Sequence, residues 1–407
     1  MKQVLFVDDE PMVLQGLKRL LRPVRDRWEM HFESDSGTAL ERLEQQHFDV
    51  VVSDMRMPSY TGVDVLRHAK RHCPDAVRIG LSGYADSQLV LEAAQVTHQF
   101  LAKPCDSEKL VSAVDRVVRL QERLNSDDLR RNIGALSTLP SLPALYLRVT
   151  QEAAAPNGTL ESVGEIIGQD LAMTAKILQL VNSAYFGLRT QVASARQAAT
   201  ILGLEAIRAM VLTVELFSSF DENDDEVEVA DVERLWAHSI ATGGLAKQIA
   251  VLLKLEGRGA DQALLAGMLH DVGKLIEISR IQRAYRLVKG LVEKGGFSDI
   301  EAEEQLLGCN HADIGAYLLT LWGFPSPVVE AVAYHHDPSS CITTAAAPLT
   351  AVHLANAVAA GGGDQSAVQT QLDGAYLARL GLPSDAAYWL SALHTDGPTE
   401  RTFTHHG

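Results

Sequence analysis

Short apolar runs alternating with longer amphipathic stretches fill the first 120 residues. The runs Gln3-Val7, Glu29-Phe32, Asp49-Ser53, Val77-Leu81 and Gln99-Ala102 predict five strands, with helical patterns between them. Continuous apolar runs such as Val50-Val51-Val52 suit parallel strands covered on both faces. Repeated β-α alternation predicts a doubly wound, five-stranded parallel α/β sheet, whose ligands bind beyond the carboxyl ends of the strands.

The pattern then changes. Residues 115–132 are charged and helical in period, as expected of a last helix running on into a connector. From Leu139 onward long helical patterns replace the strands, so the second region is expected to be all α. The run Leu139-Pro140-Ser141-Leu142-Pro143 marks its entrance, because each proline turns its predecessor away from helix. Within it, Leu171, Ala175, Leu178 and Val181 recur at helical spacing and predict one apolar stripe, and Asn182-Ser183 predicts a capped helix end. The expected division is 1–120, a helical connector at 121–136, an all-α region at 137–395 and a flexible tail at 396–407.

Composition narrows the function classes. Of 407 residues, 46% are hydrophobic and 22% charged, the balance of a globular chain. A net charge of −16 disfavours nucleic-acid binding, which relies on Lys and Arg against phosphates. Four separated cysteines make no CxxC pair, so no disulfide framework or zinc ribbon is expected. No signal peptide or membrane span is read from the sequence, and a cytoplasmic setting is expected.

The candidate chemistry sits at the predicted strand ends. Asp8 and Asp9 follow the first strand, Asp54 the third, Ser82 the fourth and Lys103 the fifth. Three neighbouring carboxylates repel unless a cation compensates. A hard divalent ion such as Mg²⁺ suits oxygen ligands and keeps coordination positions for substrate oxygens. That set supports phosphoryl transfer to the Asp54 carboxylate, with Lys103 adding positive charge and Ser82 a hydrogen bond to the product.

The blocks Val4-Leu5-Phe6-Val7-Asp8-Asp9-Glu10, Val52-Ser53-Asp54-Met55-Arg56-Met57-Pro58, Leu81-Ser82-Gly83 and Phe100-Leu101-Ala102-Lys103-Pro104 resemble the signature blocks of two-component response-regulator receiver domains. The resemblance implies a flavodoxin-like fold and a sensor histidine kinase as phosphodonor. It implies Mg²⁺ ligation by Asp9, Asp54 and the Arg56 backbone carbonyl, with Asp8 acting mainly through water. It also implies a cis peptide before Pro104, a switch formed by Ser82 and Phe100, and a homodimer through the receiver as one partnership.

From Leu139 the chain resembles the HDOD family, the HD-related output domain. The resemblance rests on the proline-rich entrance, Asp170-Leu171-Ala172-Met173, Val181-Asn182-Ser183-Ala184-Tyr185-Phe186-Gly187, Ala199-Thr200-Ile201-Leu202-Gly203-Leu204 and Leu235-Trp236-Ala237-His238-Ser239. Met268-Leu269-His270-Asp271-Val272-Gly273-Lys274 is similar to the motif of HD-superfamily phosphohydrolases. His238, His270, Asp271, His311, His335 and His336 fall on four helical regions that a fold could bring together, and imidazole with carboxylate suits Fe, Mn, Zn or Ni. Two departures disfavour catalysis: no Gly-Tyr-Pro follows His335-His336, and Asn356 stands where a last acidic ligand is expected. The favoured expectation is therefore a non-catalytic output acting through an unidentified protein partner. A metal-dependent phosphodiesterase acting on a cyclic dinucleotide or nucleotide is the alternative. His353, His394, His405 and His406 lie outside the pattern.

Overall fold

The computed structural model describes residues 2–74, 76–82, 89, 92–93, 96–103, 110–111, 114, 142–183, 191–218, 229–341 and 345–394. The connector at 121–136, the tail at 396–407 and Pro104 lie outside them. Two compact units are present: Met1–Ile166 with Arg280–Asn310 and Tyr317–Phe324, and Ile167–Ser279 with His311–Ala316 and Pro325–Gly407.

In the first unit, β1 (Lys2–Val7), β2 (Trp28–Glu33), β3 (Val50–Asp54), β4 (Val77–Ser82) and β5 (Gln99–Ala102) form one parallel sheet in the order β2-β1-β3-β4-β5. The helices α1 (Pro11–Leu20), α2 (Ser36–Gln45) and α3 (Gly62–His72) connect successive strands. Val4, Leu5, Val50, Val51 and Val52 are wholly buried, which explains why β1 and β3 carry uninterrupted apolar runs. A capping box between Thr61 and Asp64 starts α3, and Gly62 lets that start lie against β3: a Cβ there would be 2.1 Å from the Asp54 carbonyl oxygen.

Beyond residue 142 the described elements are all helices, from Ala144–Ala154 to Ala386–His394. One expectation about it fails. In the helix Leu171–Val181 the buried residues are Met173, Ile177, Leu180 and Val181, whereas Leu171 is 83% exposed. Two apolar stripes share the 3.6-residue period here, and packing uses the one offset by two residues from Leu171. Asp170 caps this helix by accepting from the Met173 N–H, and the Asn182 amide at its end bonds the Leu178 and Val192 carbonyls.

In the second unit the long helix Val229–Leu252 packs on Gly259–Leu269, and both contact Pro348–Gly361. The first two approach closely because Gly243 faces Gly267, where an added Cβ would be 2.9 Å from the Gly243 Cα. Among the described residues no helix is long and apolar enough to cross a membrane.

Candidate phosphoacceptor and histidine-rich sites

The register of the sheet places the first site. Val7 pairs with Ser53, Asp54 with Leu81, and Ser82 with Ala102, so Asp8, Asp54, Ser82 and Lys103 emerge at one edge. Lys103 Nζ lies 2.8 Å from Asp8 Oδ2 and 2.5 Å from Asp54 Oδ1. Asp8 and Asp54 are buried, and with Asp9 they bring carboxylate oxygens within 4.8 Å of one another. The Glu10 N–H donates to Asp8 Oδ1 and the Arg56 N–H to Asp54 Oδ2. Burial raises the pKa of Asp54 by more than its contacts with Lys103 lower it. Burial alone would lower that of Lys103, but hydrogen bonds to Asp54 and Asp8 leave it raised. The lysine is thus held as a cation beside a carboxylate whose charge is only partly compensated, which suits an oxygen-seeking Mg²⁺. Phe100 is partly buried against the sheet core, and Gly80 leaves room for its ring: a Cβ there would lie 2.9 Å from it.

The second site lies wholly within the second unit. His238 comes from Val229–Leu252, while His270 and Asp271 form the junction between Gly259–Leu269 and Val272–Arg280. His311 opens its helix, and His335 with His336 follows Ser326–Tyr334. Helix ends, rather than helix interiors, supply most of the donors.

Asp271, buried at 4% exposure, is their common centre. Its Oδ1 lies 3.1 Å from His311 Nε2 and 3.6 Å from His335 Nε2. Its Oδ2 lies 3.4 Å from His270 Nε2 and 3.9 Å from His238 Nε2. His311 Nε2 is also 3.1 Å from His336 Nε2. Two donor groups therefore share one carboxylate: His311, His335 and His336 on one side, His238 and His270 on the other. Ligands each about 2.0–2.2 Å from a common ion sit roughly 3–3.5 Å apart, close to these spacings.

Backbone contacts fix the tautomers. His270 Nδ1–H donates to the Gly267 carbonyl and His335 Nδ1–H to that of Val332, each at 2.8 Å, so both Nε2 lone pairs face Asp271. Asp271 Oδ1 and His335 Nε2 are buried without a hydrogen bond. Burial lowers the pKa values of His270, His335 and His336 and so favours their neutral rings. For Asp271, burial acts upward but is outweighed by its neighbours, the Lys274 ammonium among them, so its carboxyl stays ionised. This donor set fits a transition-metal ion.

The pattern of depressed histidine pKa values has a pH consequence. A histidine whose folded pKa lies below the ordinary 6.5 contributes stability that is present above that value and lost as pH falls below it. Metal-free protein is expected to lose stability from about pH 6.5 downward, as followed by urea unfolding across pH. His270→Gln should flatten that slope.

Sequence reasoning missed two contributors. Lys274 Nζ lies 3.7 Å from Asp271 Oδ2, and its spacing three residues after the aspartate was the available signal. His353 Nδ1 donates to the His335 carbonyl while its Nε2 accepts from the Asp373 N–H, so it positions the His335 segment from behind. The expected acidic position does face the cluster: the Asn356 side-chain oxygen accepts from His238 Nε2 at 2.9 Å. His238, unlike His335, therefore has its Nε2 engaged, and the same atom lies 3.2 Å from His270 Nε2.

Gly273 holds the two motifs together, since a Cβ would lie 1.9 Å from the His311 carbonyl oxygen. Gly273→Ala is expected to destabilise the fold by at least about 1–3 kcal/mol, the usual cost of overpacking, and to displace His311. A lowered urea midpoint at unchanged slope would register this.

Comparisons with known proteins agree with these two regions. The response regulator receiver domain model matches residues 4–115 and the HDOD domain model matches residues 139–338. An uncharacterised protein of Treponema pallidum is 27% identical over 207 residues, covering 50% of this chain and 38% of that protein. The hydrogenase transcriptional regulatory protein HoxA of Cupriavidus necator is 30% identical over 178 residues, covering 40% of this chain and 36% of HoxA. The chain thus spans well under half the length of these relatives. The crystal structure of an HDOD domain protein of unknown function from Geobacter sulfurreducens matches 69% of this chain and 94% of that one, at TM-score 0.53 and 23% identity, a likeness of fold. The chain joins a response regulator receiver domain to an HDOD domain.

Proposed function

We propose that Asp54 accepts a phosphoryl group from the phosphohistidine of a sensor histidine kinase, and that its state governs an HDOD output acting through a protein partner in the cytoplasm. The observation that carries this reading is the Lys103 ammonium bridging Asp8 and Asp54 at the end of the sheet. In the proposed step an Asp54 Oδ attacks phosphorus, the P–N bond to the kinase imidazole breaks, and an acyl phosphate forms. Lys103 compensates charge on the phosphoryl oxygens, and Ser82 donates a hydrogen bond to one of them. Asp8, Asp9, Asp54 and the Arg56 carbonyl would hold Mg²⁺, which neutralises the incoming group when bound. Phe100 is assigned to the switch, 1–120 to the receiver, 121–136 to the connector and 137–395 to the output. A homodimer through the receiver belongs to the same reading. Capture of a cellular partner by wild type and by Asp54→Asn, each with and without a phosphodonor, tests it; identical capture in all four arms would end it.

A second reading is favoured by one observation, the sharing of Asp271 between two imidazole groups. In it the output domain is a metal-dependent phosphodiesterase for a cyclic dinucleotide or nucleotide. Metal bound there would polarise a phosphoryl oxygen and activate water, while Lys274 would offset charge on the substrate phosphate. Asn356 weighs against it, because a neutral amide is a poorer ligand for a dication than carboxylate. Metal content and turnover after Fe or Mn reconstitution decide: turnover lost in His270→Ala supports catalysis, and loaded but inert protein removes it.

A further inference from the structure

A third cluster of donors lies outside both sites, on the outer face of α2 and α3. His68 and His72 stand one helical turn apart on α3, where i,i+4 residues share a face, with ring centroids 4.2 Å apart. Glu44, near the end of α2, brings Oε1 to 3.2 Å from His68 Nε2. One donor atom from each of the three lies within 4.8 Å of the others. His68 Nε2 is shielded from solvent, and Glu44 Oε1 is its polar neighbour. Their 3.2 Å separation is the spacing of neighbouring ligands on one ion.

We propose that Glu44, His68 and His72 form a surface site for a divalent transition-metal ion of the zinc class. Two imidazoles and one carboxylate supply three ligands and leave a fourth position for water, an arrangement zinc accepts. His72 is exposed and Glu44 is 55% exposed at its side chain, so the ion can enter from solvent without local opening. The ion would tie α2 to the last turn of the helix whose first turn packs on the Asp54 backbone.

A residue-local readout separates this site from the Asp271 cluster. The full chain is titrated with Zn²⁺ alone, and acylation of His72 by diethyl pyrocarbonate is followed by peptide mass spectrometry. Zinc is expected to protect His72 in wild type. The zinc midpoint should rise at least about 10–100-fold in Glu44→Gln and His68→Ala, since even outer-shell losses cost that much. Glu44 is largely exposed, so Glu44→Gln leaves the core intact. His72 acylation that ignores zinc, or equal midpoints in wild type and Glu44→Gln, would overturn the assignment.

Discussion

Asp54→Asn is expected to reduce phosphoryl incorporation from a small acyl-phosphate donor to background, while Lys103→Ala slows it by about 10²–10³-fold, the usual loss when one preorganised charge donor is removed. The two variants differ because they remove different things. The asparagine amide has no lone pair comparable to a carboxylate oxygen, so no acyl phosphate can form. The alanine leaves the nucleophile but uncovers Asp8 and Asp54, which Lys103 Nζ contacts at 2.8 and 2.5 Å. Excess Mg²⁺ should recover part of the Lys103→Ala loss and none of the Asp54→Asn loss. Intact-protein mass spectrometry at several Mg²⁺ concentrations reads both effects. Equal incorporation in wild type and Asp54→Asn would move the phosphoacceptor elsewhere.

Asp271→Asn is expected to remove transition metal from both imidazole groups together, with an affinity loss above about 100-fold. Its two oxygens face the two groups separately, so one substitution weakens both. His336→Ala should weaken only the group containing His311 and His335. Asn356→Asp is expected to act in the opposite direction, since a carboxylate beside His238 adds an anionic ligand where the amide oxygen now accepts a hydrogen bond. Equilibrium dialysis against Mn²⁺ or Zn²⁺ with elemental analysis distinguishes the three variants. A full metal complement in Asp271→Asn would show that the histidines pack against one another without a shared ion.

The receiver was legible strand by strand because a parallel sheet buried on both faces writes itself as continuous apolar runs, and each predicted strand lies within a residue of its observed bounds. The strand-end residues could be placed for the same reason: parallel register carries Asp8, Asp54, Ser82 and Lys103 to one edge. Helices gave less. At Leu171–Val181 periodicity alone could not choose between two stripes, and tertiary contacts chose the one containing Met173 and Ile177. The histidine cluster could be nominated but not assembled, because most of its members are drawn from helix ends far apart in sequence. The role of His353 had no sequence signal, as it acts through the His335 carbonyl. Glu44 was equally silent, since α2 meets α3 only in the folded sheet.

On the proposed function, chemistry at Asp54 is felt in the HDOD domain through a coupling free energy between two sites, typically about 1–3 kcal/mol. Amide hydrogen exchange of the full chain in Mg²⁺, with and without beryllofluoride as a phosphoryl mimic, tests it most directly, using Asp54→Asn as the control. A coupling of that size predicts roughly 5–150-fold changes in exchange for helices beyond residue 142 in wild type, with none in Asp54→Asn. Exchange that changes around Asp54 and Lys103 but stays the same beyond residue 142 would show that the two domains are not coupled.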